Sequence, residues 1–298
     1  MSVQASTRLR ALLNDPSQII VGPGVYDGIT ARLALNAGFK TLYMTGAGTS
    51  MSALGTADLG LATMTEMRQN AEMIASIDRS VPVIADADTG YGSALSVART
   101  TASYISAGIA ALHLEDQVVN KKCGHLAGKQ LVSKEEYLTR IRAAVETRKR
   151  LGSDIVIIAR TDALQSLGLG ESLSRLDAAI DAGADVAFLE AITKREELVA
   201  VCSRFKGRAP IMYGMVQGSS AYKVTIEEAK AIGVNIIVYA AVCLMPTFVA
   251  VSQALKTLKE TGDCEEYGGQ WTPHTMFDAC GMKELMDFDR LIADDIPK

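Results

Sequence analysis

The segment 112–125, L-H-L-E-D-Q-V-V-N-K-K-C-G-H, has the residue types best suited to chemistry. Two carboxylates, Glu115 and Asp116, follow an apolar run, and carboxylates at a strand end suit a hard metal ion. Cys123 comes a few residues later, beside two lysines and a histidine, whose positive charges should lower the pKa of the thiol. The segment therefore predicts a metal-assisted reaction in which a cysteine moves a proton.

A second group of acids supports a metal site. Asp86 and Asp88 are two residues apart, so in an extended strand end they share a face and can approach one ion. With Glu115 and Asp58 they would form an all-oxygen site that suits Mg²⁺ or Mn²⁺ and stays open to substrate. The alternative is that these acids are helix caps and loop ion pairs.

Two further segments could hold an anion. The loop of Gly46, Ala47 and Gly48 offers backbone N–H groups to a carboxylate or a phosphate, although a plain tight turn is an equal interpretation. Arg160 could bind a carboxylate through its forked guanidinium, or it could form a buried ion pair with Glu190.

Cys123 differs from the other cysteines in its surroundings. The five cysteines lack any CxxC spacing, which indicates reduced thiols and not a disulfide framework. The stretch around Cys123, N-K-K-C-G-H-L-A-G-K, is polar and contains glycine, as is typical of a mobile lid. The others lie in helical, strand or tail contexts and are interpreted as packing residues: Cys202, Cys243, Cys264 and Cys280.

Elements that could position these groups recur along the chain. Short β-branched runs alternate with stretches of helical spacing such as 64–77 and 134–150, which favours βα units and a parallel sheet. The runs are 18–21, 41–45, 81–85, 111–114, 154–159, 185–189, 210–213 and 235–239. Glycines that can close a helix before the next strand are Gly38, Gly108, Gly183 and Gly233.

Eight such units predict an α/β fold, a (β/α)8 TIM-type barrel with its active site at the carboxyl ends of the strands. A doubly wound open sheet is the alternative. Against it, the first strand is followed by V-G-P-G-V-Y-D-G and not by the dinucleotide motif GxGxxG.

The chain is interpreted as a single domain, residues 1–298. Residues 1–258 would form the barrel and 259–298 a C-terminal helical extension, with a helix at 276–292 that packs outside or on a neighbouring subunit. Charged residues make up 21% and the net charge is −4, so neither nucleic acid nor a membrane surface is an expected partner.

No targeting or membrane segment is expected. The longest apolar run, 236–251, contains Pro246 and is too short for a membrane span. The stretch 6–13 is interpreted as an amphipathic helix, so a cytoplasmic protein is expected over a mitochondrial one.

Taken together, several motifs resemble those of the isocitrate lyase/phosphoenolpyruvate mutase superfamily. They are Y-M-T-G-A-G, A-D-A-D-T-G-Y-G, H-L-E-D-Q, K-K-C-G-H and A-R-T-D-A, in the family's order over almost the whole chain. K-K-C-G-H is the most specific, because it marks the carbon–carbon lyase branch, which includes 2-methylisocitrate lyase, dimethylmalate lyase and oxaloacetate acetylhydrolase. The resemblance implies a Mg²⁺-dependent barrel, a homotetramer with helices exchanged between subunits, and a small dicarboxylate substrate.

The resemblance also implies a role for each matching residue. The metal ligands would be Asp86, Asp88, Glu115 and, close by, Asp58. The catalytic residues would be Cys123 as general acid, Arg160, Glu115, Lys122 and His125. The residues that bind substrate would be Tyr43, Thr45, Gly46, Ala47, Asp88, His113, Gly124, Arg160, Glu190 and Tyr213.

The expected reaction is retro-aldol cleavage of a 2-hydroxy, or hydrated 2-oxo, dicarboxylate. It would give a 2-oxo acid, or oxalate, and the enolate of a carboxylate, which a nearby acid must protonate. Two positions depart from the family: Tyr213 and Gly214 fall where many relatives have an asparagine, and Ala240 falls where oxaloacetate acetylhydrolases have a serine. Ala240 makes oxaloacetate hydrolysis the less expected activity, and the missing asparagine motivates the alternative of a ligand-binding barrel without turnover. A phosphonopyruvate-type enzyme of P–C bonds on the same barrel is the other alternative.

Overall fold

The strands of this chain close on themselves. In the computed structural model, which describes residues 3–263 and 271–294, eight parallel strands form a barrel in sequence order. They are β1 (Ile20–Val25), β2 (Leu42–Met44), β3 (Val83–Asp86), β4 (Ala111–Glu115), β5 (Val156–Thr161), β6 (Val186–Leu189), β7 (Ile211–Met215) and β8 (Ile236–Tyr239). β1 pairs with β2 at Gly24 and Tyr43, and with β8 at Ile20 and Ile236, which closes the barrel. The predicted (β/α)8 barrel is confirmed and the open sheet is excluded.

Helices cover the outside of the barrel. They are α1 (Ala5–Leu13), α2 (Gly28–Asn36), α3 (Gly46–Thr49), which continues into a π-helical turn (Ser50–Leu54), α4 (Met64–Ile77), α5 (Ala94–Ser106), α6 (Lys134–Arg150), α7 (Leu164–Asp181), α8 (Arg195–Phe205), α9 (Ile226–Ile232), α10 (Leu244–Thr261), α11 (Pro273–Ala279) and α12 (Met282–Asp294). α4 and α6 have the predicted bounds. The glycines proposed as helix ends all have positive φ, from +81° to +111°: Gly38, Gly108, Gly183 and Gly233.

Each strand alternates between two cores, one inside the barrel and one beneath the helices. On β5, Val156 and Ile158 face the interior, whereas Ile157 and Ala159 pack against the helical layer. Leu9 of α1 is fully buried against the interior cluster and plugs the barrel at its N-terminal end. This alternation decides which side chains at the other end can reach a ligand.

The first strand is longer than the predicted run 18–21, because glycines that look like a strand end are part of β1. A Cβ at Gly22 would lie 3.1 Å from Val238 Cγ1, and one at Gly24 would overlap the Ala240 carbonyl. These glycines let β1 approach β8 closely.

The predicted C-terminal helix 276–292 is two helices, since Gly281 has φ +91° and separates α11 from α12. Cys264 lies outside the described residues. Among the helices described, none is both long and apolar enough to span a membrane.

Candidate active site

A cavity of about 210 Å³ lies at the carboxyl ends of the strands. Its charged or polar lining residues are Tyr43, Thr45, Asp58, Asp86, Cys123, His125, Arg160 and Glu190. Its apolar lining residues are Met51, Phe188, Val216, Val238, Ala240, Ala241, Leu244 and Met245. The strands thus converge on a site that offers both ionisable groups and apolar surface.

The two acids at the end of β4 have different surroundings. Glu115 lies with Arg160, whose Nη2 is 3.3 Å from its Oε2. Asp116 instead accepts hydrogen bonds from Thr161 Oγ1 at 2.5 Å and Arg175 Nη1 at 3.1 Å. Adjacent strand residues face opposite ways, so Asp116, which is not among the expected metal ligands, belongs to a buried network with Arg175 of α7.

Lys121 binds two of the predicted metal ligands. Its Nζ lies 2.7 Å from Asp58 Oδ1 and 2.7 Å from Asp88 Oδ1, and its side chain is buried. Burial alone would lower the pKa of Lys121, but Asp88, Glu115, Asp86 and Asp58 together raise it well above its usual value. Burial raises the pKa of Asp88 to about 6 despite Lys121.

The carboxylates near Lys121 have the donor chemistry of a magnesium site. In the described part of the chain, neither oxygen of Glu115 accepts a hydrogen bond of normal geometry, and both are buried. Burial raises the pKa of Glu115 well above normal, because Arg160 and Lys121 only partly compensate. Buried carboxylate oxygens without donors, beside further acids, fit a hard cation. Among residues 3–263 and 271–294, however, no three His, Cys, Asp or Glu side chains lie close enough to hold a metal as they stand.

Arg160 is surrounded by carboxylates. It donates to Asp162 through Nε at 3.0 Å and Nη2 at 3.2 Å, and its Nε lies 3.8 Å from Glu190 Oε2. Its guanidinium also lies 5.5 Å from the Phe188 ring centroid. The proposed Arg160–Glu190 pair thus exists, although Asp162 is the closer partner.

Cys123 lies in the loop between β4 and α6, with its N–H donating to the Asp58 carbonyl at 3.1 Å. Burial raises the pKa of its thiol, and a hydrogen bond from the His125 backbone and the charges of Lys121 and Arg160 only partly compensate. The expected lowering of this pKa is wrong, because desolvation outweighs the nearby cations. The group is therefore a protonated thiol at neutral pH.

The loop residues beside Cys123 point in different directions. Gly124 packs so closely on Arg160 and Glu190 that a Cβ would overlap both. His125 Nε2 lies 2.9 Å from Glu190 Oε1. The charge of Arg160 and this contact with His125 together lower the pKa of Glu190 despite its burial. Lys122 has an exposed side chain and does not line the cavity; Gln117 holds its peptide group at 2.9 and 3.0 Å.

Tyr43 and His113 form a buried pair beneath the acids. Tyr43 Oη lies 3.1 Å from His113 Nε2, and the two rings stack. His113 Nδ1 lies 3.5 Å from Asp86 Oδ1. Burial, helped by Arg160, lowers the pKa of His113 to about 3, so this histidine is neutral.

The glycine loop begins a helix. Thr45 caps α3 by accepting from the Gly48 N–H at 3.3 Å, and Thr45 and Ala47 line the cavity. A Cβ at Gly46 would overlap the Asp86 carboxylate, so glycine is required for this acid to approach the loop.

The departures on β7 and β8 now have positions. Tyr213 packs in the outer core and donates to the Tyr222 carbonyl, so it does not line the cavity. Gly214 and Ala240 do line it. On β7, the residue that lines the cavity is thus Gly214, which has no side chain.

Two lysines and an aspartate in this cluster were not among the predicted site residues. Lys121 pairs with Asp58 and Asp88, and Lys129 pairs with Asp162 at 3.1 Å. Of the two adjacent lysines, Lys122 was expected in the site, but Lys121 is the one that contacts the acids. Because the loop is irregular, no periodicity indicates which of its side chains turn inwards.

Comparison with known proteins places these motifs in a family context. The sequence profile of phosphoenolpyruvate phosphomutase matches residues 9–259. The chain is 43% identical over 237 residues to 2,3-dimethylmalate lyase of Eubacterium barkeri, covering 80% of each chain. It is 38% identical over 254 residues to 2-methylisocitrate lyase of Aeropyrum pernix, covering 85% of this chain and 80% of the relative. A crystal structure of oxaloacetate acetylhydrolase with 3,3-difluorooxalacetate superposes with TM-score 0.94 at 46% identity, covering 97% of both chains.

Proposed function

Because the chain belongs to the phosphoenolpyruvate mutase/isocitrate lyase superfamily, with carbon–carbon lyases among its relatives, we propose that it cleaves a small 2-hydroxy dicarboxylate into a 2-oxo acid and a carboxylate. The observation that carries the proposal is Cys123, a protonated thiol on the wall of a cavity that also contains Arg160. The enolate that C–C cleavage leaves must be protonated on carbon, and the Cys123 thiol is an acid at the wall of that cavity.

In the proposed reaction the 2-hydroxyl loses its proton to the carboxylate cluster as the C2–C3 bond breaks. The electron pair of that bond passes to the departing carboxylate, which becomes an enolate. The Cys123 thiol donates its proton to the enolate carbon. The resulting thiolate is stabilised by the His125 N–H and by the charges of Lys121 and Arg160. Arg160 binds a substrate carboxylate through its planar fork.

Magnesium is part of the proposal. Asp86, Asp88 and Glu115, with Asp58 nearby, are the residues that would hold it, and Lys121 would have to yield its contact with Asp88. When bound, the ion would supply positive charge to the oxygens of the substrate. The orphaned oxygens of Glu115 support this assignment.

The apolar part of the lining supports an aliphatic substituent on the substrate. Phe188, Val238 and Leu244 carry no hydrogen-bonding group for a second charged substituent, and Gly214 adds no side chain to the cavity. Burying a carboxylate there without a donor would be costly. Ala240 likewise offers no hydroxyl to a hydrated 2-oxo acid, so an alkyl-substituted malate is the proposed substrate class.

A homotetramer is also proposed, on the surface of the C-terminal helices. α10 buries none of its residues within the subunit. Together with α11 and α12 it exposes large apolar side chains, including Phe248 at 69% and Phe288 at 63%. Helices that expose many large apolar side chains in this way are typical of a subunit interface.

The test is product analysis by NMR with Mg²⁺ over a panel of substrates. The panel contains 2,3-dimethylmalate, other alkylmalates, 2-methylisocitrate, oxaloacetate and phosphonopyruvate. We expect a 2-oxo acid from the alkylmalates, loss of turnover with EDTA, and a fall of about 10²- to 10⁴-fold in Cys123→Ser. Cys280→Ser, which changes an exposed cysteine, is the matched control and keeps full activity.

Three results would contradict the proposal. Full turnover by Cys123→Ser would exclude the thiol as the acid. Turnover of phosphonopyruvate alone would make the protein a P–C bond enzyme. Mg²⁺-dependent binding of dicarboxylates by calorimetry, without any product, would make it a ligand-binding barrel.

A further inference from the structure

Lys129 is a buried cation on the loop that contains Cys123. Only 2% of its side chain is exposed, although Lys122 on the same loop is exposed. A lysine is rarely buried this fully unless it is paired, because removing an ammonium from water is costly. Its partners therefore indicate what the burial achieves.

The Nζ of Lys129 joins the loop to the end of β5. It donates to the Gly124 carbonyl within the loop and lies 3.1 Å from Asp162 Oδ1. Asp162 also accepts both hydrogen bonds from Arg160, at 3.0 and 3.2 Å. Burial alone would raise the pKa of Asp162, but Arg160 and Lys129 lower it, so this carboxylate stays ionised between the two cations.

The Gly124 end of this connection is the part of the loop nearest the chemistry. Gly124 contacts Arg160 and Glu190 too closely for any Cβ, and its neighbours are Cys123 and His125. A bond to the Gly124 carbonyl therefore fixes the peptide between the thiol and the histidine that contacts Glu190 at 2.9 Å. No side chain of the cavity wall itself makes this connection among the described residues.

We propose that Lys129 is the positioning residue that holds the cysteine loop closed, by pairing with Asp162 and the Gly124 carbonyl. It touches no substrate and acts through Cys123 and Arg160. The inference rests on the proposed lyase function only in its activity readout, because closure of the loop can be measured without substrate.

The test is the rate at which iodoacetamide alkylates Cys123 without substrate, followed by peptide mapping with a protease that does not cleave at lysine. Lys129→Met removes the charge and the donor at similar length. We expect Cys123 to react about 10- to 100-fold faster, as the loss of a hydrogen bond to a charged group predicts. Lys149→Met, an exposed lysine at the end of α6, is the matched control and leaves the rate unchanged. Lys129→Arg, which keeps the charge, restores most of the protection.

Alkylation of Cys202 distinguishes opening of the loop from a general loosening of the fold. Cys202 is buried in the outer core and should stay unreactive in every variant. An unchanged Cys123 rate in folded Lys129→Met would overturn the proposal. If that variant does not fold, acetylation of the unaltered protein still decides: Lys129 must react far more slowly than Lys122, and equal rates would overturn the proposal.

The activity readout separates this proposal from the function. If the protein is a lyase, Lys129→Met lowers kcat, keeps the pH profile and is rescued by Lys129→Arg. If the unaltered protein turns over nothing on the panel, the proposed function fails while the alkylation experiment still tests the closed loop.

Discussion

Two carboxylates, Asp185 near the N-terminal end of the barrel and Glu115 at its carboxyl end, differ in how well they are hydrogen-bonded. At the N-terminal end, Asp185 accepts from Arg10 at 3.2 Å, from Arg148, and from the Ile157 N–H at 2.8 Å. At the carboxyl end, Glu115 is more deeply buried, yet neither of its oxygens accepts a hydrogen bond of normal geometry from the described residues. The first arrangement stabilises the fold, and the second leaves binding capacity unused.

The difference teaches where to look for function in a barrel. A buried carboxylate that accepts no well-formed hydrogen bond destabilises the folded state, so it persists only where something else is gained. Satisfied pairs at the other end, with Leu9 as an apolar plug, help to offset that cost. If this division is right, substitutions at one end should change activity and those at the other should change stability.

The largest effect is expected at Arg160. Arg160→Gln removes the fork that would bind a carboxylate and leaves Asp162 with Lys129 alone. We expect kcat/KM to fall at least about 100-fold, since two hydrogen bonds to a charged group are lost. Arg148→Gln, at the opposite end, is the control and should keep kcat/KM within about 2-fold by the same steady-state assay.

If Arg160→Gln retained most of its activity, Arg160 would be only a structural partner of Asp162, and the carboxyl end would not be the site of activity. If Arg148→Gln lost as much activity, the N-terminal end would also be needed for turnover.

The second effect concerns stability. Asp185→Asn weakens the contacts with Arg10 and Arg148, which are 33% and 17% exposed. We expect the free energy of unfolding to fall by about 1–3 kcal/mol, less than for a fully buried pair. Urea denaturation at fixed protein concentration measures this, and kcat should not change. A loss of kcat without a loss of stability would contradict the division.

The barrel follows from the alternating runs of the sequence. Period-two alternation separates the two faces of a strand, but the structure decides which face looks inwards: Tyr213, expected to bind substrate, lies in the outer core, and Gly214 lines the cavity. The same alternation separates Glu115, an expected metal ligand, from its neighbour Asp116, which belongs to another network.

Other features required the structure. The Cys123 pKa depends on desolvation by a folded loop, whereas the sequence displays only the neighbouring cations. The inward turn of Lys121 and Lys129, and the outward turn of Lys122, follow from contacts within an irregular loop. Such contacts carry no periodic signal, so residue type alone cannot rank three lysines.

A third, smaller effect concerns the lining of the cavity at the carboxyl end of the barrel. In Gly214→Ala the new Cβ would lie 3.2 Å from Phe188 Cζ and 3.7 Å from Glu190 Oε2. We expect kcat/KM for the preferred alkylmalate to fall about 10-fold, as for the misfit of a methyl group in an apolar pocket. Gly170→Ala on α7, where an added Cβ meets nothing within 4 Å, is the matched control. An unchanged kcat/KM for that alkylmalate in Gly214→Ala would show that residue 214 does not contribute to substrate selection.

The smallest effect is a pH dependence at the N-terminal end. Burial alone would raise the pKa of Asp154, but hydrogen bonds from Ser6 and Thr7 outweigh it and lower this pKa below the ordinary value of 3.8. A carboxyl with a lowered folded pKa contributes stability above its unfolded pKa and loses it as the pH falls through the folded pKa. Asp154→Asn should therefore lower Tm by about 1–3 °C at pH 7, and the difference from the unaltered protein should shrink below pH 3.8. Thermal melts at both pH values measure this. A Tm difference independent of pH would mean that Asp154 acts through its shape, and an accompanying loss of kcat at pH 7 would mean that the two ends of the barrel are coupled.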